Sequence, residues 1–221
     1  MQKKTHVKTA KGRKISSTKW LYRHINDPYV AMANEEGYRS RAAFKLIEIN
    51  EKFKIFSALH SDSVAIDLGC APGSWLQVLS RKAKKINRII GVDLKSIDFE
   101  NISNAMAITG DFTQETTIRE LKTQIENKKI HLVISDMAPN ACGDKQTDHI
   151  RITMLAYEVL NFIEEVCESG ANGIIKVIQG SMSQQLQQRA KSMFSKIAWY
   201  KPKASYADSA EIYLILLNFK K

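Results

Sequence analysis

The stretch Asp67-Leu-Gly-Cys-Ala-Pro-Gly73-Ser-Trp75 decides the fold, because it joins a short apolar segment at residues 64–68 to a helical pattern that begins at Ser74. In doubly wound α/β sheets, the loop after the first strand is where ligands bind. Gly69 and Gly73 allow the backbone to turn tightly and approach a ligand, and Ser74 is the candidate N-cap of the helix. The spacing matches neither a dinucleotide fingerprint nor a phosphate loop. Alone, the loop therefore predicts only a strand, a turn and a helix.

Two kinds of apolar pattern alternate along the rest of the chain. Short segments typical of strands lie at residues 64–68, 89–94, 105–109, 132–135, 173–178, 196–200 and 212–219. Helical periodicity occurs at residues 40–54, from 74, after 113, near 148–168 and at 183–195. Strands that alternate with helices indicate a mostly parallel sheet with right-handed crossovers and helices on both faces.

The last two predicted strands are expected to pair differently. The segment between them, residues 201–210, is polar and has no helical pattern, so we predict a hairpin that makes the final strand antiparallel. The expected fold is α/β, with seven strands in a mostly parallel sheet. This architecture resembles the Rossmann-like fold of S-adenosylmethionine methyltransferases.

Positive charge is concentrated at the start of the chain. The 221 residues contain 33 Lys+Arg and 23 Asp+Glu, a formal net charge of +10. Residues 1–26 contain no acid and eight basic side chains, which leaves +2 for residues 27–221. We therefore predict a basic arm at 1–26, followed by a single domain at 27–221. The arm favours a nucleic-acid partner; a solvated segment or a mitochondrial transit peptide are the alternatives. Its basic residues are Lys3, Lys4, Lys8, Lys11, Arg13, Lys14, Lys19 and Arg23.

The remaining composition excludes several classes of protein. The longest apolar run, residues 212–217, is far shorter than the roughly 18 residues of a transmembrane helix, and no secretory signal is recognisable. The cysteines Cys70, Cys142 and Cys167 are odd in number and widely spaced, which fits a reducing compartment and neither a disulfide framework nor a zinc site. We expect a cytoplasmic monomer with no membrane association, no bound metal and no protein partner.

Acidic residues follow the next two predicted strands. Asp93 lies 24 residues beyond Gly69, close to the roughly 20-residue offset at which an acid reaches ribose hydroxyls. Asp111 follows the third strand and could accept a hydrogen bond from an adenine amino group. Each could also be a solvated loop carboxylate. Their placement at the ends of consecutive strands favours a nucleoside site.

Charged residues also occupy unusual places in the second half of the chain. Lys176 interrupts the apolar run Gly-Ile-Ile-Lys-Val-Ile, where a buried charge would need partners. Asp136 ends the fourth strand and so lies at the same ligand edge, while Glu211 stands at the entrance to the last strand. Alternatively, Lys176 extends to the surface and the acids are ordinary strand-end charges.

In their order and spacing, six segments resemble the FtsJ/RrmJ (RlmE) family of rRNA methyltransferases, from about residue 15 to the end of the sequence. They are Ser17-Thr-Lys-Trp20, Gly37-Tyr-Arg-Ser-Arg-Ala-Ala-Phe-Lys45-Leu, Asp67 to Trp75, Ser135-Asp-Met-Ala-Pro-Asn140, Ile175-Lys176-Val and Glu211-Ile-Tyr213. The resemblance implies a catalytic tetrad of Lys45, Asp136, Lys176 and Glu211. It also implies S-adenosylmethionine as cofactor, bound by Gly73, Trp75, Asp93, Asp111 and Asp136.

The reaction implied by the resemblance is 2'-O-methylation of a uridine ribose in the A loop of large-subunit (23S) rRNA, on the ribosomal particle. An in-line displacement requires the 2'-oxygen near attack distance and the removal of its proton. Lys176 is the candidate general base, for which it must be neutral part of the time; orienting the hydroxyl is the alternative. Methylation of a tRNA or an mRNA cap, and a non-catalytic RNA-binding module on the same fold, remain open as alternative functions.

One segment departs from the resemblance. Relatives have an arginine-rich stretch before the glutamate, whereas this chain has Ser205-Tyr-Ala-Asp-Ser-Ala at residues 205–210. An RNA-contacting role of this loop is therefore in doubt. We expect part of that role to shift to the arm or to Lys201 and Lys203.

Overall fold

The computed structural model describes residues 15–98, 102, 104–125, 128–139, 142–180 and 184–221. The strands are β1 (Ser63–Leu68), β2 (Arg88–Asp93), β3 (Ala105–Thr109), β4 (Lys129–Ser135), β5 (Cys167–Ile178), β6 (Phe194–Tyr200) and β7 (Glu211–Phe219). The helices are α1 (Ile15–Ile25), α2 (Pro28–Glu35), α3 (Ala42–Phe53), α4 (Ser74–Lys82), α5 (Glu115–Ile125), α6 (Lys145–Val166) and α7 (Gln184–Met193), with a short 3-10 helix at Ile55–Ala58.

The described strands form one sheet in the order β3-β2-β1-β4-β5-β7-β6. Strands β1 to β5 pair in parallel, and β7 lies antiparallel between β5 and β6. The predicted Rossmann-like methyltransferase sheet, with its final strand antiparallel, is confirmed.

The core lies on both faces of this sheet. Successive side chains of a strand point to opposite faces. Ile66 on β1 accordingly packs into a cluster that includes residues of α5, α6 and α7, while its neighbour Ala65 packs into a second cluster that includes residues of α3 and α4. Every residue of β1 is buried, as expected for a central strand covered on both sides. Across the ranges that the structure describes, no helix has both the length and the apolar character needed to cross a bilayer.

The structure describes the last part of the predicted basic arm. Residues 1–14, which hold six of the arm's eight basic side chains, lie outside the described residues. Residues 15–25 form α1, and Asp27 caps α2 by accepting a hydrogen bond from the backbone N–H of Tyr29 at 2.9 Å. Arg23 of α1 forms an ion pair with Asp208. The last part of the predicted arm is therefore helical and contacts the segment between β6 and β7.

Candidate active site

A cavity of about 670 Å³ lies at the carboxyl ends of β1 to β4. Parallel strands bring their carboxyl ends to one edge of a sheet, so residues far apart in sequence meet there. Its lining includes three acids named from the sequence, Asp93, Asp111 and Asp136, together with Gly69 of the loop after β1. The structure therefore confirms that these loops converge at one edge of the sheet.

The glycine loop is shaped by close packing. Gly69 has φ of 74°, and a Cβ there would lie 1.9 Å from Cγ of Met137, so only glycine fits. Gly73 has φ of 102° and is itself the N-cap of α4, while the Ser74 hydroxyl bonds to the Ser40 hydroxyl at 2.6 Å. The expectation that Ser74 caps the helix is thus wrong, because the left-handed turn at Gly73 places the cap one residue earlier.

Trp75 does not reach the cavity. Its side chain is 3% exposed, its indole Nε1 donates to the carbonyl of Ala42 at 2.8 Å, and its ring lies 5.9 Å from that of Tyr213. Neither Trp75 nor Gly73 is among the described residues that line the cavity. The indole fixes α4 to the first turn of α3, and direct contact of these two residues with a cofactor stays a prediction.

Backbone donors hold two of the cavity acids. Asp93 accepts from the N–H of Ala71 through Oδ2 and from the N–H of Lys95 through Oδ1, both at 2.9 Å. Asp111 accepts through Oδ1 from the N–H of Thr113 at 2.9 Å and from its hydroxyl at 2.8 Å. Local loop geometry therefore sets the orientation of both carboxylates before any ligand binds.

The four residues of the predicted tetrad meet beside this cavity. Lys176 Nζ lies 3.1 Å from Asp136 Oδ1 and also donates to the Asp136 main-chain carbonyl. Lys45 Nζ lies 3.7 Å from Asp136 Oδ2 and 2.8 Å from Glu211 Oε1. The two lysine side chains are only 11% and 12% exposed, so their charges need these partners. Two ammonium groups and two carboxylates make the cluster neutral.

Two further side chains complete the cluster, and sequence reasoning gave neither of them a role. The Tyr213 hydroxyl donates to Asp136 Oδ1 at 2.6 Å, and the Ser205 hydroxyl donates to Glu211 Oε1 at 2.5 Å. Tyr213 lies two residues after Glu211 on β7, so both side chains point to the same face of the sheet. This alternation could have identified Tyr213 from the sequence, whereas no local sequence pattern identifies Ser205.

Opposing effects set the electrostatics of Asp136. Burial raises the pKa of this carboxyl, but the ammonium groups of Lys176 and Lys45 and the hydrogen bond from Tyr213 outweigh burial, so the pKa of Asp136 lies below its ordinary value. The pKa of Tyr213 is raised well above its ordinary value by burial and by the charges of Asp136 and Glu211. Asp136 is therefore an anion and Tyr213 a neutral donor at neutral pH.

Asp67 is a buried carboxyl that lies close enough to Asp136 and Asp93 to be affected by both charges. It is 1% exposed, and its Oδ2 has no hydrogen-bond partner. Burial, together with the charges of Asp136 and Asp93, raises the pKa of Asp67 well above its ordinary value. Since an unpaired buried anion is costly, the acid form is favoured here.

The loop before Glu211 is held by Glu48 of α3 and by Arg41, which directly precedes this helix. Both oxygens of Glu48 accept backbone N–H groups, from Lys203 at 2.6 Å and from Ala204 at 2.8 Å. Arg41 donates to the carbonyl of Ala204, pairs with Asp27 at 2.7 Å and lies 3.7 Å above the Tyr206 ring. Lys45 thus holds Glu211 directly. Glu48, three residues later on α3, holds the loop that leads to Glu211.

The sheet order, the reversed β7 and the ligand cavity at the carboxyl ends of the strands define a Rossmann-like methyltransferase. A family model described as FtsJ-like methyltransferase matches residues 38–219. The chain belongs to this family.

Similar proteins support this assignment. The chain is 42% identical over 216 residues to a protein named Ribosomal RNA large subunit methyltransferase E from Wolbachia sp. subsp. Brugia malayi, covering 98% of this chain and 95% of the relative. Its identity to the protein of the same name from Rickettsia bellii is 43% over 219 residues, or 97% of this chain and 94% of that one. The crystal structure of a ribosomal RNA methyltransferase from Plasmodium falciparum has a TM-score of 0.72 at 34% identity, covering 82% of this chain and 98% of the other.

Proposed function

We propose that this protein transfers the methyl group of S-adenosylmethionine to the 2'-oxygen of a ribose in large-subunit rRNA, at a uridine of the A loop presented on the ribosomal particle. The observation that carries the proposal is the neutral cluster of Lys45, Asp136, Lys176 and Glu211, because Asp136 belongs both to this cluster and to the cavity lining. The names of the relatives support rRNA as the substrate class. The 2'-oxygen, the uridine and the ribosomal particle are inferred from the resemblance.

The cavity suits a nucleoside ligand of this kind. Its volume of about 670 Å³ lies within the roughly 300–1,000 Å³ of small-molecule sites. Asp93, held by two backbone donors, is the candidate acceptor for ribose hydroxyls, and Asp111 the candidate acceptor for the adenine amino group. When bound, S-adenosylmethionine supplies an electrophilic methyl group on a positively charged sulfur. The negative charge of Asp136 at the cavity edge would stabilise that positive charge.

The chemistry of Lys176 follows from its hydrogen bonds. Within the described residues its Nζ has two partners, the main-chain carbonyl and Oδ1 of Asp136. A charged ammonium has three N–H donors, so the third can orient the 2'-hydroxyl oxygen. A neutral amine keeps two N–H donors and one lone pair, so both bonds to Asp136 persist while the lone pair accepts the hydroxyl proton. Lys176 therefore suits both the orienting role and the role of general base.

Lys45 and Glu211 have a supporting role in this scheme. Lys45 bridges the two carboxylates, with its Nζ 2.8 Å from Glu211 Oε1 and 3.7 Å from Asp136 Oδ2. For the role of general base Lys176 is neutral before the reaction, and transfer of the 2'-hydroxyl proton to its lone pair gives the ammonium that completes two positive and two negative groups.

The test is methyl transfer from labelled S-adenosylmethionine to large ribosomal subunits that lack the modification, followed by mapping of the methylated nucleotide. We expect one ribose-methylated uridine in the A loop, no transfer by Lys176→Ala, and a dissociation constant for the cofactor within a few-fold of that of the wild type. Lys122→Ala is the matched control, since Lys122 pairs with Glu165 at 2.8 Å and does not line the cavity. Methylation of a base, or of tRNA alone, would contradict the proposal, and a normal rate for Lys176→Ala would exclude this lysine from the mechanism.

A further inference from the structure

Helix α1 carries an exposed aromatic pair that the proposed reaction does not use. The rings of Trp20 and His24 stack with centroids 5.0 Å apart and planes within 10°. Trp20 is nevertheless 60% exposed, which is unusual for so large an apolar side chain. His24 covers one face of the indole, so much of the remaining indole surface is open to a ligand.

The pair lies next to the loop that leads into the catalytic cluster. Residues three and four apart share a helix face, so Trp20, Arg23 and His24 lie together. The Arg23 guanidinium lies 4.8 Å above the Tyr206 ring and pairs with Asp208. Glu211 follows Asp208 by only three residues. The aromatic pair is therefore anchored beside the segment that delivers Glu211 to the site.

The sequence of α1 and of the residues before it is basic, which favours an anionic partner. The sequence of α1, Ile-Ser-Ser-Thr-Lys-Trp-Leu-Tyr-Arg-His-Ile, contains no acid, and Lys19 adjoins Trp20. The 14 residues before it contribute six more basic side chains and no acid. An exposed aromatic ring within a basic surface is the arrangement by which proteins bind unpaired bases of single-stranded nucleic acid.

We propose that the Trp20–His24 pair is a stacking surface for an unpaired base of the RNA substrate, close to the nucleotide that is methylated. This inference rests on the proposed function insofar as it takes RNA to be the substrate. It also accounts for the departure at residues 205–210. In place of the arginines expected there, Tyr206 and Asp208 hold Arg23, and through it α1, at the edge of the site.

The first test measures binding of a single-stranded oligouridylate of about 12 nucleotides, within the site sizes known for stacking proteins. Trp20→Ala should weaken binding about 5- to 150-fold, as expected for the loss of one base–aromatic stack, whereas Trp20→Phe should keep most of the affinity. RNA should quench tryptophan fluorescence in the wild type, and Trp20→Phe should remove that quenching. Met32→Ala, a change at another exposed apolar residue on the neighbouring α2, is the control and should leave affinity unchanged.

The salt dependence separates stacking from phosphate contacts. Stacking releases no counterions, so the affinity lost in Trp20→Ala should be the same factor at low and high salt. Deleting residues 1–14 removes six positive charges and leaves α1 complete. If about three of these charges meet phosphates, the slope of log affinity against log salt should become shallower by roughly 2 to 3 units.

Two results would overturn the stacking role: unchanged oligouridylate affinity in Trp20→Ala, and a changed salt slope in that variant. If the unchanged affinity came with a raised KM on ribosomal subunits, Trp20 would contact a protein instead. Binding of RNA is measured without turnover, so its outcome is independent of whether the wild type methylates rRNA. Circular dichroism of each variant checks that the fold is retained.

Discussion

The two halves of the active-site edge hold their charged groups in different ways. In the half proposed to bind the cofactor, three backbone N–H groups hold Asp93 and Asp111, two of them within two residues of the acid. In the catalytic half, side chains from α3, β5, β7 and the loop after β4 hold one another, as in the contact of Asp136 with Lys176 and Tyr213. We expect the loss of one acid in the proposed cofactor half to remove a ligand contact. Loss of one charged group in the catalytic half removes an ion-pair partner from other buried charges, as loss of Asp136 would do for Lys45 and Lys176.

The largest effect is expected for Asp136→Ala. Removal of this carboxylate leaves Lys45 and Lys176 facing each other with Glu211 alone, and breaking a buried pair costs about 3–5 kcal/mol of the free energy of unfolding. Transfer should be abolished and cofactor affinity reduced. Denaturant unfolding and labelled-methyl transfer measure these effects. The double variant Asp136→Ala/Lys176→Met should regain part of the stability and none of the activity, and a double variant no more stable than Asp136→Ala would contradict the charge-pair account.

In the cofactor half, Asp93→Ala should weaken cofactor binding without this loss of stability. Hydrogen bonds to a charged acceptor contribute about 1.5–3 kcal/mol, which corresponds to a roughly 10- to 150-fold larger dissociation constant. Calorimetry with S-adenosylmethionine measures this change. Asp62→Ala, at an exposed acid immediately before β1, should leave it unaffected. An unchanged constant in Asp93→Ala would refute the placement of the ribose at this residue.

Glu48 tests whether the catalytic half depends on its supporting loop. Glu48→Gln removes one of the two oxygens that accept the N–H groups of Lys203 and Ala204, so Glu211 should lose its exact position. We expect a 10- to 100-fold lower kcat, the order produced by small misplacements of reacting groups, with an unchanged cofactor dissociation constant. Glu51→Gln, at an exposed position on the same helix, is the matched control. Equal kcat values for the two variants would show that the loop is held without Glu48.

The smallest effect concerns Asp67, whose pKa is raised in the folded protein by burial and by acids of both halves. The folded state then binds more protons than the unfolded state, so this residue favours stability at low pH, and the contribution is lost as pH rises through the folded pKa. Asp67→Asn should remove that dependence, which is at most about 1.4 kcal/mol per pH unit. Unfolding free energies at pH 5 and at pH 6 measure it. Parallel curves for wild type and variant would contradict a protonated Asp67.

The sequence predicts the strand-end acids well and the supporting contacts poorly. Asp93, Asp111 and Asp136 end or follow parallel strands, and the geometry of such a sheet brings these ends together without further information. Glu48 and Ser205 act through contacts that join α3, the 201–210 segment and β7, which no local periodicity encodes. Helix α1 was missed because its docking depends on the contact of Arg23 with Asp208, 185 residues away. Lys176 stood out because it interrupts an apolar run, Lys45 was identified through the resemblance, and the structure brings both to Asp136.

The position of β7 couples the completion of the sheet to that of the charged cluster. This strand is the last described element in the sequence, yet it lies between β5 and β6 and pairs Tyr213 with Lys176. Removal of β7 would leave Lys45 and Lys176 with Asp136 as their shared carboxylate and would separate β5 from β6. We therefore expect the cluster to form only in a molecule whose sheet is complete.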